Sequence, residues 1–235
     1  MKNYRVFIPC AGIGSRLGSL TDNFNKALVR VNEKEVITYI IDKFKQSIEI
    51  VVALGYKGQQ VKEFLEKTYS ERKFIFVEID NFEGPGSGLG YTMLQCKEYL
   101  QGPFIFISND TIILEEIPEP GINYMGYASE RDVTKFRSVR LNQEGSGVIE
   151  LCEKGTQGNV KPYIGLSGVK DWEEFWKVLE EENESFMKIG ESAGLRLMIN
   201  KEIPMKGIEF TWFDTGNLDD LAKTEKALQE LQNKN

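Results

Sequence analysis

Histidine is missing from this chain of 235 residues. Its absence removes Ser–His and Cys–His nucleophilic systems together with histidine-based metal sites, so any chemistry has to run on carboxylates, lysine and arginine. Cysteine is scarce: Cys10, Cys96 and Cys152 are odd in number and share no metal-ligand spacing, which predicts unpaired thiols in a reducing compartment. Basic charge is in deficit as well. A net charge of −7 and a pI near 5.0 argue against a nucleic-acid or anionic-membrane partner, and an anionic substrate must be held by local cations. No run approaches the roughly 20 apolar residues of a membrane span. The start, Met1 to Pro9, lacks a signal-peptide pattern, so a cytoplasmic location is expected.

What is present is enough apolar residue, 41%, to bury a full core in one unit. Strand-like and helix-like segments alternate: strand Val6–Pro9, helix Val36–Phe44, strand Ile48–Leu54, helix Gln59–Tyr69 and strand Phe74–Glu78. A glycine-rich loop, Gly84–Gly88, leads to helix Leu89–Tyr99 and to the apolar run Phe104–Ser108, which reads as a central strand. The second half changes character. Arg137–Leu141 and Val148–Leu151 flank the turn-rich stretch 142–147 and predict an antiparallel hairpin. Helix Asp171–Glu182 turns Trp172, Phe175, Trp176 and Leu179 inward. Helix Glu191–Asn200, strand Glu209–Phe213 and a charged closing helix, Leu218–Leu231, complete the chain. The expected fold is a single α/β domain with a mixed, mostly parallel central sheet flanked by helices.

The first loop carries chemistry. Cys10-Ala11-Gly12-Ile13-Gly14-Ser15-Arg16-Leu17-Gly18 follows the first strand, with Lys26 shortly after. Glycines here let backbone N–H groups approach phosphates, and Arg16 and Lys26 add two cations where a triphosphate would lie. A Walker loop is excluded because no Gly-Lys-Ser or Gly-Lys-Thr occurs. The dinucleotide fingerprint fails at Leu17, where its third glycine belongs. Asp110 and Asp214 each lie just beyond an expected strand, where ligands of open α/β sheets collect, and together suit Mg²⁺. Taken singly, Asp110 also reads as a turn residue and Asp214 as a cap.

The segment 8–16, followed by Asn25-Lys26-Ala27-Leu28-Val29, resembles the signature A-A-G-x-G-[ST]-R … P-K-[AP]-L of sugar-phosphate and phosphocholine-type nucleotidyltransferases. Cys10 stands for the first alanine and Asn25 for the proline. Ser108-Asn109-Asp110 resembles the family's metal-binding aspartate, and Trp212-Phe213-Asp214-Thr215-Gly216 its W-x-D-[TV]-G element. The resemblance implies a Rossmann-like (GT-A-type) domain, with residues 1–110 as the nucleotide-binding half, 111–216 as the acceptor-binding half and 217–235 as a C-terminal helix. It implies catalytic Arg16 and Lys26, a nucleotide site of Ala11, Gly12, Gly14, Ser15, Arg16, Lys26, Gly86, Ser87 and Gly88, and Mg²⁺ on Asp110 and Asp214. Glu153-Lys154 resembles the family's E-K-P element, although Gly155 replaces the proline and Lys161-Pro162 repeats the pattern, so Lys154 and Lys161 are both candidates for the acceptor phosphate.

The implied reaction transfers a nucleoside monophosphate from a nucleoside triphosphate to a small phosphorylated acceptor. The chain ends one helix after the W-x-D-[TV]-G element, as in the phosphocholine-type branch, which implies CTP and a phosphoglutamine or phosphocholine-like acceptor in capsule or cell-surface synthesis. A sugar-1-phosphate acceptor is the runner-up, and a non-catalytic nucleotide-binding module is the alternative of another class. A homo-oligomer is compatible with the sequence.

Overall fold

The computed structural model describes residues 4–129, 132–181 and 190–233. The chain enters at strand β1 (Arg5–Cys10), followed by helix α1 (Leu20–Asn23) and a hairpin of β2 (Arg30–Val31) and β3 (Lys34–Glu35). It then alternates α2 (Val36–Ile41), β4 (Glu49–Leu54), α3 (Gly58–Thr68), β5 (Phe74–Glu78), α4 (Leu89–Cys96) and β6 (Phe104–Ile107). The second half adds β7 (Thr111–Ile113), β8 (Tyr124–Tyr127), β9 (Ser138–Leu141), β10 (Val148–Cys152) and β11 (Lys161–Val169). It closes with α5 (Trp172–Glu181), α6 (Glu191–Asn200), β12 (Lys206–Glu209), β13 (Trp212–Asp214) and α7 (Leu218–Gln232).

Among the described residues, nine strands form one mixed sheet with the main path β10-β9-β11-β6-β1-β4-β5, and β8 and β12 extend it beside β11. The ladders through β6, β1, β4 and β5 are parallel, with Val6 opposite both Ile50 and Ile105. This is why the inner strands read as unbroken apolar runs: helices cover both faces, so both sets of alternating side chains are buried. Phe7, Val51, Phe104 and Phe106 point to one face, under Met93, Phe175, Trp176 and Leu195 of α4, α5 and α6. Their neighbours Val6, Ile8, Ile50, Val52 and Ile105 point to the other, against Ile37, Ile40, Val61 and Leu65 of α2 and α3. A third cluster joins Leu17, Ile112, Phe213, Leu221 and Leu228, and so fastens β7, β13 and α7 beneath the first loop.

Several expectations are corrected. The helix expected over 36–44 stops at Ile41, and Lys43 and Phe44 close short turns onto Ile40 and Ile41 carbonyls while Phe44 stays buried. The expected strand 209–213 is two strands: β12 pairs with β8 in the main sheet, while β13 pairs with β7 in a separate ribbon. The helix expected over 171–182 is α5, and its last expected residue, Glu182, lies outside the described residues. The nine-residue β11 had no counterpart in the sequence reading. It contains Gly165 in the left-handed region, φ 70°, where its ladder with β8 shifts register, so it is a bulged strand.

Candidate active site

The first loop is built so that two cations meet one carboxylate. Beyond β1, Ala11 abuts Gly55: a Cβ on Gly55 would lie 2.6 Å from the Ala11 carbonyl oxygen, and Tyr56 N–H donates to that oxygen at 2.9 Å. Gly12 faces open space, whereas Gly14, at φ 74°, makes room for Lys26, whose Cβ a methyl there would approach to 2.9 Å. Ser15–Leu17 form one tight helical turn that buries Leu17 and leaves Arg16 projecting, its side chain 65% exposed.

Asn25, where the motif has proline, keeps φ at −63°, the value a proline ring would impose. Its fully buried amide adds what proline lacks. The Nδ2 group donates to the Cys10 carbonyl at 2.9 Å and the Tyr56 carbonyl at 2.6 Å, and Oδ1 accepts from Ala27 N–H at 2.9 Å. Lys26 is thereby held at the start of a helical turn, with Nζ 3.1 Å from Asp110 Oδ2.

Asp110 sits three residues beyond β6, and Asp214 ends β13. Thr215 N–H donates to the Asp110 carbonyl at 3.0 Å, which ties the two strand ends together. A Cβ on Gly216 would lie 3.0 Å from Asp214 Oδ1, 3.2 Å from Asp110 Oδ2 and 3.3 Å from the Arg16 guanidinium. Two carboxylates and an arginine therefore surround one point.

Their electrostatics diverge. Burial pushes the Asp110 carboxyl up, but the charge of Lys26, hydrogen bonds from Ser108 (2.6 Å) and Lys26, and the charge of Arg16 outweigh it and hold the group below its ordinary value. For Asp214 the Gly216 N–H and the charge of Arg16 do not outweigh burial. Burial, with the neighbouring Asp110 charge second, raises it to about 6, despite the Gly216 N–H donating at 2.8 Å. Among the described residues no group of three His, Cys, Asp or Glu side chains is placed to hold a metal. Two carboxylates with only oxygen donors nevertheless fit a hard cation such as Mg²⁺.

Two hollows flank this point. One, of about 260 Å³, is lined by Ala11, Gly12, Lys26, Ser87, Gly88 and Asn109. Of the other expected nucleotide contacts, Gly14 and Ser15 do not line it, and Gly86 is held at φ 83° in a loop whose Ser87 hydroxyl donates to Gly84 O at 2.7 Å. Ser87 therefore faces the hollow as an acceptor. The second hollow, of about 200 Å³, is lined by Arg16, Asp110, Lys154, Tyr163, Glu191 and Asp214 among others. Lys154 is in it; Lys161 instead opens β11 opposite Val139 and does not line it.

Leu89 and Ser108 border both hollows. Gly190, at φ 73°, lets α6 begin against Leu89, whose Cγ a methyl there would meet at 2.5 Å. A larger hollow of about 540 Å³ lies at the opposite ends of β1 and β4, but there Arg5 and Glu49 neutralise each other at 2.9 Å.

Sequence reasoning missed Asn109, Arg137, Tyr163 and Glu191 as site residues. Glu191 is 3% exposed, and burial raises its carboxyl above the ordinary range against the nearby Tyr163 hydroxyl and hydrogen bonds from Ser192. Its burial has no local signal, because a glutamate in a first helical turn reads as surface.

No protein-family model matches the chain. Bifunctional protein GlmU of Methanocaldococcus jannaschii is 27% identical over 235 residues, covering 97% of this chain and 55% of that protein. The chain spans about half the length, or less, of the curated relatives it matches first. The CTP:phosphocholine cytidylyltransferase of Streptococcus pneumoniae superposes with a TM-score of 0.77 at 21% identity, covering 96% of this chain and 99% of that one. A UDP-glucose pyrophosphorylase complexed with UDP-glucose gives 0.76 at 15% identity, covering 98% and 99%. The fold is thus the GT-A-like fold of these enzymes.

Proposed function

We propose that this protein transfers a nucleoside monophosphate from a nucleoside triphosphate, with CTP the favoured donor, to a small phosphorylated acceptor of phosphocholine or phosphoglutamine type. The observation that carries this reading is the meeting of Asp110, Asp214 and Arg16 at one point, with Lys26 on Asp110, between two hollows. An acceptor phosphate oxygen forms a bond to the α-phosphorus, and the bond from that phosphorus to the bridging oxygen breaks, releasing pyrophosphate with the electron pair. The attacking oxygen is already ionised, so no general base is needed, which suits a chain without histidine.

Arg16 and Lys26 hold the triphosphate and offset the charge that builds on it. Ala11, Gly12 and Gly88 admit the nucleotide closely, and Lys154 meets the acceptor phosphate. Asp110 and Asp214 would hold Mg²⁺, which supplies charge neutralisation at the phosphates. The preference for CTP rests on the sequence resemblance and on the structural likeness to the phosphocholine cytidylyltransferase. The UDP-glucose pyrophosphorylase neighbour favours a second reading, a sugar-1-phosphate acceptor.

The test is pyrophosphate release by purified protein with each of the four common triphosphates against phosphocholine, phosphoglutamine and sugar-1-phosphates, with and without Mg²⁺. Mg²⁺-dependent release with CTP and a non-sugar acceptor is expected. Release only with a sugar-1-phosphate selects the second reading, and no release with any pair leaves a nucleotide-binding module. Among the described residues no helix is long and apolar enough to cross a membrane.

A further inference from the structure

The second hollow contains a carboxylate that phosphate and metal handling do not use. Glu191 is the first residue of α6, 3% exposed, and borders the same space as Arg16, Lys154 and Asp214. The helix start gives it part of what burial removes: the Ser192 hydroxyl donates at 3.0 Å, the Ser192 N–H also donates, and the helix dipole favours an anion there. The rest is not compensated. The Tyr163 hydroxyl, buried and bordering the hollow, interacts with Glu191 and Ser167, yet neither it nor the Ser167 hydroxyl closes a well-formed hydrogen bond. Arg137 acts on Glu191 through its charge but is shared with Glu153, 3.4 Å from its Nε. A buried carboxylate without a full counter-charge is costly, and a cationic ligand in the hollow removes that cost.

The walls fit the same ligand. The Phe136 and Trp212 rings border the hollow and meet edge to face with centroids 4.9 Å apart, offering aromatic surface to a cation. A neutral polyol would leave Glu191 as it is, whereas an ammonium group would pair with it while Arg16 and Lys154 take the phosphate.

We propose that Glu191, with the Tyr163 hydroxyl beside it, reads a positively charged amine on the phosphorylated acceptor and is a specificity-determining residue of the transfer. This rests on the nucleotidyl-transfer reading above. The test compares wild type, Glu191→Gln and Tyr163→Phe in pyrophosphate release, using phosphocholine, phosphoethanolamine, phosphoglutamine, glucose-1-phosphate and glycerol-3-phosphate as acceptors. Wild type is expected to prefer the three amine-bearing acceptors. Glu191→Gln should raise their KM by about 10- to 100-fold, the loss of one charge-assisted contact, while KM for the triphosphate stays within about twofold. Tyr163→Phe should raise KM for the two primary amines more than for the quaternary one, and it serves alone if Glu191→Gln does not fold.

Wild-type preference for the neutral-bodied acceptors overturns this inference and leaves nucleotidyl transfer standing. So does an equal loss by both variants on neutral and amine-bearing acceptors, which would mark a purely structural role. No release by wild type with any acceptor removes the transfer reading and this inference with it.

Discussion

Replacing Asp214 by asparagine should make the metal-free protein more stable while abolishing turnover. Burial and the Asp110 charge raise the Asp214 carboxyl from 3.8 to about 6. The folded chain therefore holds a proton that the unfolded chain releases, and that stabilisation is complete below the unfolded value and lost as pH rises through about 6. Above that value the ionised group burdens the fold by roughly two units at about 1.4 kcal/mol each, or about 3 kcal/mol. Asparagine removes the charge but keeps an oxygen for the Gly216 N–H, which donates to Oδ1 at 2.8 Å.

Near pH 8 and without divalent metal, Asp214→Asn should melt higher than wild type by about 6–12 °C. The gap should close toward about pH 4, where both side chains are neutral. Calorimetry in a chelator across that range measures it. Mg²⁺ with CTP at about 100 times its Kd should then stabilise wild type by about 2.7 kcal/mol and the variant much less. A gap that does not change with pH, or a variant less stable than wild type near pH 8, would refute the reasoning.

Lys26→Ala should lower turnover by about 10²- to 10³-fold with the far-ultraviolet circular dichroism unchanged, and undiminished pyrophosphate release from a pure variant would sink its assignment. Lys154→Ala should raise the acceptor KM by about tenfold, the loss of one charge-assisted contact, and Lys161→Ala should leave it unchanged. The opposite result in acceptor titrations would move the phosphate contact onto β11. Asn25→Ala should cost about 1–3 kcal/mol in urea unfolding, because the Ala27 N–H and two carbonyls lose their partners, and no measurable loss would mean water replaces the amide.

What could be read from the sequence follows from which constraints are local. β1, β4 and β6 lie within two residues of their expected bounds, because strands buried on both faces must be apolar throughout, and the half-buried edge strand β5 matches its bounds. Arg16, Lys26, Asp110 and Asp214 could be picked out because each follows a strand or a glycine loop. The structure brings these four together. β11 could not be read, because Pro162, Gly165 and Gly168 look like loop residues until their distant neighbours are known. A Cβ on Gly168 would lie 2.0 Å from the Tyr124 ring, and one on Gly165 would lie 2.9 Å from Ser108 Cβ.

Asn25 shows how far a motif letter can mislead. The backbone conserves a proline-like φ of −63°, while the side chain does different work, tying Cys10, Tyr56 and Ala27 together. Glu191 belongs with β11: its burial arises from Leu89, Tyr163 and Arg137 closing around the start of α6, none of them within 25 residues of it in the sequence. The residues that handle phosphate are thus marked by backbone position, which sequence records. Those that would choose the acceptor are marked by burial of charge, which only the folded chain reveals.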